Sequence, residues 1–535
     1  MQHTTNDNAA IFLLDGDEFF EELHRDLEDL LANGGPPAGG TSYVRIAYWM
    51  ITCDLYLPNS GGGNPENLLD KLREVAMAGY PVQIIAWKGN KLMEVSHDWL
   101  IGWVHYTNKA FNGVGAYEFI NCYTEPYGGD HYGCSNHQKI ALVSVAGNKR
   151  AFVGGFNVSG GYLSSDAHNA ANRWHDTAVR VRGPVVDDIE TEWVRRWNKQ
   201  TNVPVTIINM GGAQAAINAM AGGGLDITTC TNNVEASPLQ AHIRTEMITR
   251  INAAQNLIYM ENYGLTDPFL VDALAHAVNG TGPNNYTPQV TTLVDNMDGV
   301  TEGMGLLGSY LMYYTFLELS LPNLANIDII DGFMSRIKSR TTQVAAGAML
   351  NRSVTKTLSN PAQVAVTNPS SNYRYRFTTG GTAKDISFGD IWGYTPGANP
   401  HVMYTLSSGA GNRAYPHSKL AIFDDNWLTV GTSNWTYRSM QYDGEITLFI
   451  NDTAIAPNFV TAARDRLFTH WNQPNNPANW DATARANVTN IGNGTYTNQV
   501  PRIIPVRFGD FIHPSSSEAW KSGFSWLGYT GSALF

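Results

Sequence analysis

Long apolar runs are missing from this sequence, and none approaches the roughly 18 apolar residues that cross a bilayer. The start, MQHTTNDNAAIFLLDGDEFFEELHRDLEDLL, has no Lys or Arg before its short apolar run and turns acidic at once. It does not read as a secretory signal, and the chain is expected to be soluble and to meet any membrane from outside. Cysteine is scarce too. The four, Cys53, Cys122, Cys134 and Cys230, show no C-x-x-C or other metal-ligand spacing. That argues against a cysteine-based zinc site and leaves open one disulfide, Cys122 to Cys134. Charge is thin: 15% of residues are charged, and 35 Lys plus Arg against 47 Asp plus Glu leave −12. That balance argues against a broad electrostatic footprint for nucleic acid and leaves room for a local basic cleft. Abundant Asn, Thr, Ser and Gly hint at an exported, bacterial-type surface.

What is present suits globular packing. The 535 residues are 43% apolar, too many for one ordinary core, so two domains or one duplicated unit are expected. FFEELHRDLEDLLA (19–32) reads as an amphipathic helix and YVRIAYWMI (43–51) as a buried strand. NLLDKLREVAMAGYPVQIIAWKG then gives helix, turn and strand. Alternation of this kind predicts an α/β layered fold. The same grammar restarts after the Gly/Ala-rich 211–224, which sets a boundary near residue 225. The expected division is a lobe over 1–225, a second over 226–475, and an irregular extension over 476–535 packed on the second lobe. Arg336, Lys338, Arg340, Arg352 and Lys356 form the one basic cluster, read as a solvated helix face.

Two segments carry the chemistry. HQKIALVSVAGNKRAFVGGFN (137–157) and HSKLAIFDDNWLTVGTSN (417–434) each open on His-x-Lys and close on a glycine-led segment ending in Asn. Residues two apart on a strand share a face, so His137 with Lys139, and His417 with Lys419, present imidazole beside ammonium. That pair suits a phosphate: lysine is a compact positive charge, and histidine can be a nucleophile or an acid near neutral pH. Asn157 and Asn434 offer amides to phosphoryl oxygens. Asp176, in WHDTAVRVRGP, and Glu445, in YDGEITLFI with Asp443 as its competitor, are each placed to orient one histidine through its second ring nitrogen.

These residues resemble the phospholipase D superfamily, whose pattern is H-x-K-x4-D followed by G-G/S-x-x-N or a close variant, twice per active site. His417, Lys419, Asp424 and Asn434 fit it; the first copy has Ser144 where the family has Asp. The resemblance covers about residues 40 to 475. It implies two similar α-β-α lobes packed with pseudo-twofold symmetry around one active site. His137 is then the nucleophile that forms a phosphohistidine, and His417 the acid that protonates the leaving alcohol and then activates water or an acceptor alcohol. Lys139, Lys419, Asn157 and Asn434 stabilise the phosphoryl oxygens, and Asp424 is supportive. The expected activity is cleavage of the head-group phosphodiester of phospholipids at a membrane surface, with some head-group exchange. No cofactor, no metal, no nucleic-acid partner and a monomeric state are expected. A nuclease or other phosphodiesterase on the same scaffold is the enzymatic alternative, and a non-catalytic phosphate-binding relic the other.

Remaining candidates take plainer readings. His131, His175 and His401 are expected to be ordinary polar or packing residues, and DNMDG (295–299) a turn. Trp49, Trp87, Trp174 and Tyr259 are expected to pack in or beside the core. Asn157 and Asn434 also begin N-x-S/T sequons, where a glycan would block the cleft. Ser144→Asp is expected to be tolerated, because it restores the family residue.

Overall fold

In a computed structural model, the residues described are 1–37, 40–58, 65–87, 98–110, 120–125, 135–164, 168, 174–200, 205–207, 224–233, 240–262, 264–265, 267–280, 282–286, 288–294, 356–358, 374–379, 382–387, 403–409, 412–441, 443–452, 459–471, 480–492, 495 and 502–505. The fold is mixed α/β, with a large mixed sheet and helices. By compactness the chain forms two units. Unit 1 comprises Met1–Glu246, Asn412–Asn434 and Ser439–His470; unit 2 comprises Met247–Gly411, Trp435–Arg438 and Trp471–Phe535.

In unit 1 the strands are β1 (Gln2–Leu14), β2 (Tyr43–Tyr48), β3 (Val82–Trp87), β4 (Ile120–Glu125), β5 (Ile140–Val145), β6 (Asn148–Gly154), β7 (Thr177–Arg182), β8 (Leu225–Asn233), β9 (Leu420–Phe423), β10 (Trp427–Gly431) and β11 (Ile446–Asn451). Its helices include α1 (Asp15–Asn33), α2 (Leu68–Met77), α3 (Val185–Gln200) and α4 (Phe459–Trp471). The strands pair in the order β4-β3-β2-β5-β6-β7-β1-β8-β11-β10-β9. Only β2–β3 and β3–β4 are parallel in that series.

β1 joins the two halves of this series. Ala9–Leu14 pair with β7, and Gln2–Asn8 pair with β8 across an irregularity between Thr5 and Asn8. Its polar first half, QHTTNDN, gives no strand signal by apolar alternation, because hydrogen bonding to β8 rather than burial of a face fixes it there.

Helix α1 covers the sheet beside the site. Phe19, Phe20, Leu23, Leu27 and Leu30 recur at helical spacing and are buried, whereas its other face carries Glu21, Glu22 and Arg25. Phe19 stacks on Phe156 at 4.6 Å and meets Phe152 edge-on at 5.6 Å. The helix therefore clamps the segment that carries Asn157. Truncation of Phe19 to Ala would cost about 3–5 kcal/mol on the scale of buried aromatics.

The two motif segments take the same form. β5–β6 and β9–β10 are antiparallel hairpins, each followed by a third antiparallel strand, β7 or β11. β6 contacts β10 and β11, and β7 contacts β10.

In unit 2, Leu257–Asn262 runs parallel to Gln289–Val294, which runs parallel to Met403–Gly409. Helix Pro268–Asn279 starts from Asp267, whose carboxylate accepts from the amides of Phe269 and Leu270, and it stops at Gly280 with φ 64°. Residues 476–535 depart from the irregular structure expected of their Asn- and Pro-rich composition. Their described part holds the helix Trp480–Gly492 and the strand Ile503–Pro505, the latter antiparallel to Met403–Gly409. Burial of Trp480 and Ala484 on one helix face supplies what propensity lacks.

Candidate active site

Both His-x-Lys tripeptides lie just ahead of their strands rather than on them, because their backbone groups bond elsewhere. The His137 amide donates to Gly444 O at 2.9 Å, and the His417 amide to His175 O at 2.7 Å. Each lysine still folds beside its own histidine. Lys139 Nζ donates to His137 O at 2.8 Å, and Lys419 Nζ donates to His417 O.

The carboxylates cross between the copies. His137 Nδ1 lies 2.9 Å from Glu445 Oε1 and 3.0 Å from the Thr432 carbonyl oxygen. A carbonyl only accepts, so Nδ1 carries the hydrogen, and in the neutral ring Nε2 holds the lone pair. Thr432 Oγ1 donates to Glu445 Oε2 at 2.5 Å and fixes the carboxylate in turn. His417 Nδ1 lies 2.7 Å from Asp176 Oδ2, while Asp176 Oδ1 accepts from the Thr177 amide at 2.8 Å. Asp443, the competitor of Glu445, turns away and accepts from the Ser135 amide at 2.7 Å.

Burial unsettles every charge here. His137 and His417 are 9% and 8% exposed, and Lys139, Lys419, Asp176 and Glu445 are nearly or wholly enclosed. Burial pushes Glu445 up to about 7 and Asp176 up to about 6. It lowers Lys139 to about 7, aided by the Lys419 ammonium, and Lys419 to about 8. Burial, with both lysines and His137 close by, lowers His417 well below its usual value. A buried centre with two closely placed cations is poised for an anion that completes their neutralisation.

The glycine-led segments serve close approach. A Cβ on Gly155 would lie 2.0 Å from Asp176 Oδ1, and one on Gly431 would lie 2.4 Å from Thr447 Oγ1. Only glycine lets these turns pass so near. Asn157 is buried; its carbonyl accepts from the Met50 amide at 3.2 Å and its Nδ2 donates to Tyr162 OH at 2.8 Å. Asn434 is half-buried, with a buried side-chain oxygen that takes no hydrogen bond among the described residues.

Aromatic rings flank both imidazoles, and of these Tyr162 and Tyr415 went unread in the sequence. Tyr162 meets His417 edge-on at 5.4 Å, Trp174 does so at 5.0 Å, and Tyr415 stacks on it at 5.8 Å. Trp49 meets His137 at 6.0 Å and stacks on Trp87 at 5.5 Å. Trp49 and Trp174 are thus half-buried walls of the site, and no local pattern marks them out. Thr432, inside the second glycine-led segment, was the nearest available signal.

Some expected residues are not brought together. Asp424 occupies the turn after β9 with φ 50°, at the strand end opposite His417. Four strand residues put on the order of 13 Å between those ends. Ser144 lies in β5, fully buried, and donates to Thr41 O at 2.6 Å. His175 is buried, and its Nδ1 lies 2.9 Å from Asp15 Oδ1 beside His168 and His470. His131, His401, Cys134, the 295–299 turn and the basic residues Arg336, Lys338, Arg340 and Arg352 lie outside the described residues, as do the side chains of Cys122 and Lys356.

A family model described as "Cardiolipin synthase, PLD-like domain" matches residues 396–466, the stretch carrying His417, Lys419, Asn434 and Glu445. Over that stretch the chain resembles the phospholipase D superfamily. Among its relatives, cardiolipin synthase 1 of Staphylococcus aureus (strain MRSA252) is 22% identical over 37% of this chain and 34% of its own. Cardiolipin synthase 1 of Staphylococcus epidermidis (strain ATCC 35984) is 22% identical over 51% of this chain and 49% of its own. The chain thus spans about a third to a half of the length of these curated relatives. A crystal structure of phosphatidylserine synthase from Haemophilus influenzae Rd KW20 aligns over 86% of both chains, with TM-score 0.45 and 11% identity.

Against the H-x-K-x4-D pattern the chain departs at Ser144, and that departure falls away from the imidazoles. The Ser144 hydroxyl ties β5 to Thr41, on the far side of the strand from His137 in sequence.

Proposed function

We propose that the protein is a phosphodiesterase that cleaves the head-group ester of a phospholipid and passes the phosphatidyl group to an alcohol or to water. The observation that carries this reading is the crossed pair of carboxylate-held imidazoles, each with a buried lysine on its own histidine's carbonyl oxygen. His137 Nε2 attacks phosphorus, and the bond from phosphorus to the head-group oxygen breaks. His417, protonated once the phosphate anion is bound, gives its proton to that oxygen and the alcohol leaves. The phosphohistidine is resolved when His417 takes a proton from the acceptor hydroxyl, whose oxygen attacks phosphorus and frees His137. Lys139 and Lys419 stabilise the oxygens that gain charge, assisted by Asn157 and Asn434.

The name cardiolipin synthase carried by its relatives supports a phospholipid acceptor over water. Two lobes divided near residue 225 are supported by the repeated hairpin-plus-strand units, β5–β6–β7 and β9–β10–β11. Among the described residues no helix is long and apolar enough to cross a membrane.

The test uses vesicles of phosphatidylglycerol and of phosphatidylcholine, with and without added primary alcohol, beside single-stranded DNA. Lipid products are resolved by mass spectrometry. Cardiolipin or a phosphatidyl alcohol supports transfer, and phosphatidic acid supports hydrolysis. Nicking of DNA with no lipid product would make the enzyme a nuclease, and no turnover of any substrate beyond that of His137→Ala would leave a binding protein.

A further inference from the structure

A second buried cluster stands apart from the phosphoryl chemistry. Asp15, His168, His175 and His470 come from the start of α1, the segment after Tyr162, the residue before Asp176 and the last turn of α4. Each offers a ligand atom, and these atoms all lie within 4.8 Å of one another. Asp15, His168 and His175 are 1%, 0% and 0% exposed, and His470 is 9% exposed.

The distances describe a coordination shell. His168 Nε2 lies 3.0 Å from His470 Nε2 and 3.1 Å from Asp15 Oδ2, which lies 3.5 Å from His470 Nε2. His175 Nδ1 lies 2.9 Å from the other carboxylate oxygen. Zinc bonds of about 2.0–2.1 Å set the edges of a tetrahedron at about 3.3 Å, within the 3.0–3.5 Å that separate His168 Nε2, His470 Nε2 and Asp15 Oδ2. Two imidazole nitrogens facing one carboxylate oxygen can share a single hydrogen among them, whereas a dication accepts a lone pair from each.

The backbone is held for this purpose. Asp15 has φ 62°, left-handed and costly for an aspartate, yet its amide donates to Asp176 O at 2.9 Å. A Cβ on Gly16 would lie 1.9 Å from Tyr162 O and 2.8 Å from Ser164 N, so residues 162–164 rest directly on the start of α1. We propose that Asp15, His168, His175 and His470 form a buried binding site for one divalent transition-metal ion of the zinc class. Three imidazoles and a carboxylate are the donors that such ions favour over calcium or magnesium.

The ion would act through position. His175 O accepts the His417 amide at 2.7 Å, and the next residue, Asp176, holds the His417 ring. Fixing His175 by coordination fixes the carboxylate that orients His417, without placing the ion at phosphorus. Such a bond set also ties α1 to α4 across nearly the whole sequence, which stabilises the fold.

The test is made on the full chain without a polyhistidine tag. Protein freed of metal by dialysis against a chelator is titrated with Co2+ and then Zn2+. One equivalent of Co2+, with the visible bands of tetrahedral coordination and displacement by Zn2+, is expected, together with a rise in melting temperature. His168→Gln and His470→Gln should bind less than a tenth of an equivalent and show no such rise, while His137→Ala binds as the parent does. Should either glutamine variant fail to fold, the Co2+ spectrum of the parent chain decides. Octahedral bands, sub-stoichiometric binding, or binding undiminished in both folded variants would overturn the site.

Discussion

Glu445 stands 308 positions beyond His137 in the chain and 2.9 Å from its Nδ1. Asp176 does the same for His417 in the opposite direction, so each His-x-Lys copy depends on a carboxylate from the other. Neither copy supplies the carboxylate that holds its own histidine. Glu445→Gln should keep the fold, since it removes a buried charge that burial already disfavours, yet lose the negative charge that stabilises the His137 ring as it gains positive charge on attacking phosphorus. We expect kcat to fall about a hundredfold or more, with KM changed little, and Asp176→Asn to behave alike. Steady-state kinetics beside circular dichroism checks this; unchanged kcat in either variant removes that carboxylate from the mechanism.

The pH dependence follows from the same groups. Glu445, raised to about 7, gains its charge as pH climbs through neutrality, which sets the acid limb. Lys139 at about 7 and Lys419 at about 8 lose theirs just above it, which sets the base limb. The profile of kcat/KM should therefore be a narrow bell near pH 7–8, described by apparent values that belong to the coupled set. A bound phosphate anion favours charged lysine, so the base limb of kcat should lie at higher pH than that of kcat/KM. Stability carries its own sign. A carboxyl raised from 4.5 to about 7 contributes stability that is full below 4.5 and lost as pH rises through about 7. The melting temperature of Glu445→Gln should accordingly gain on the parent as pH rises across that window. A Glu445→Gln profile that keeps the parent's acid limb assigns the limb to another group.

The α/β class was legible because helices and buried strands alternate with clear periods, as in α1 followed by β2. Both His-x-Lys tripeptides and their glycine-led partners were legible from repetition. The crossing of Glu445 and Asp176 was not, since sequence order suggests that each copy serves itself and only the antiparallel strands β7 and β11 decide otherwise. Asp15, His168, His175 and His470 carry no local spacing at all, because four separate elements supply them. β1 escaped because hydrogen bonding to β7 and β8 outweighs its polar composition.

Gly155 should prove more sensitive in catalysis than in folding. Its added methyl meets the carboxylate of Asp176 at 2.0 Å, and that short side chain has one escape, rotation away from His417. Gly155→Ala should cost about 1–3 kcal/mol of stability, typical of overpacking, and lower kcat about tenfold or more through a misplaced imidazole. Urea unfolding and initial rates measure the two. A variant with parental kcat would show that Asp176 moves without loss.

Ser144→Asp, harmless by motif logic, should be destabilising. The Ser144 hydroxyl donates to Thr41 O, a carbonyl that a carboxylate can only repel. Across the sheet Ser144 faces Tyr43 and Lys149, and Lys149 is already shared between Asp187 and Glu190. A third acid there should cost about 1–3 kcal/mol, seen as a lower urea midpoint with unchanged slope. Unchanged stability would mean that Lys149 takes the new carboxylate.

Which histidine becomes covalent is the sharpest question the site poses. If His137 attacks in line, the leaving alcohol departs on the opposite side, where His417 must protonate it. His417→Ala then slows both steps with an ordinary lipid. A phosphodiester with a good leaving group, such as a nitrophenyl ester, needs little protonation to depart, so formation recovers while breakdown still lacks its base. The phosphoenzyme should accumulate on the peptide carrying residue 137, seen by mass spectrometry of digests kept away from acid, and His137→Ala should give no adduct. Label on the peptide carrying residue 417 in the parent enzyme, with none at 137, would exchange the two roles and leave the family assignment intact. No adduct under any condition would replace the covalent route by direct attack of the acceptor on phosphorus, with His137 as its base.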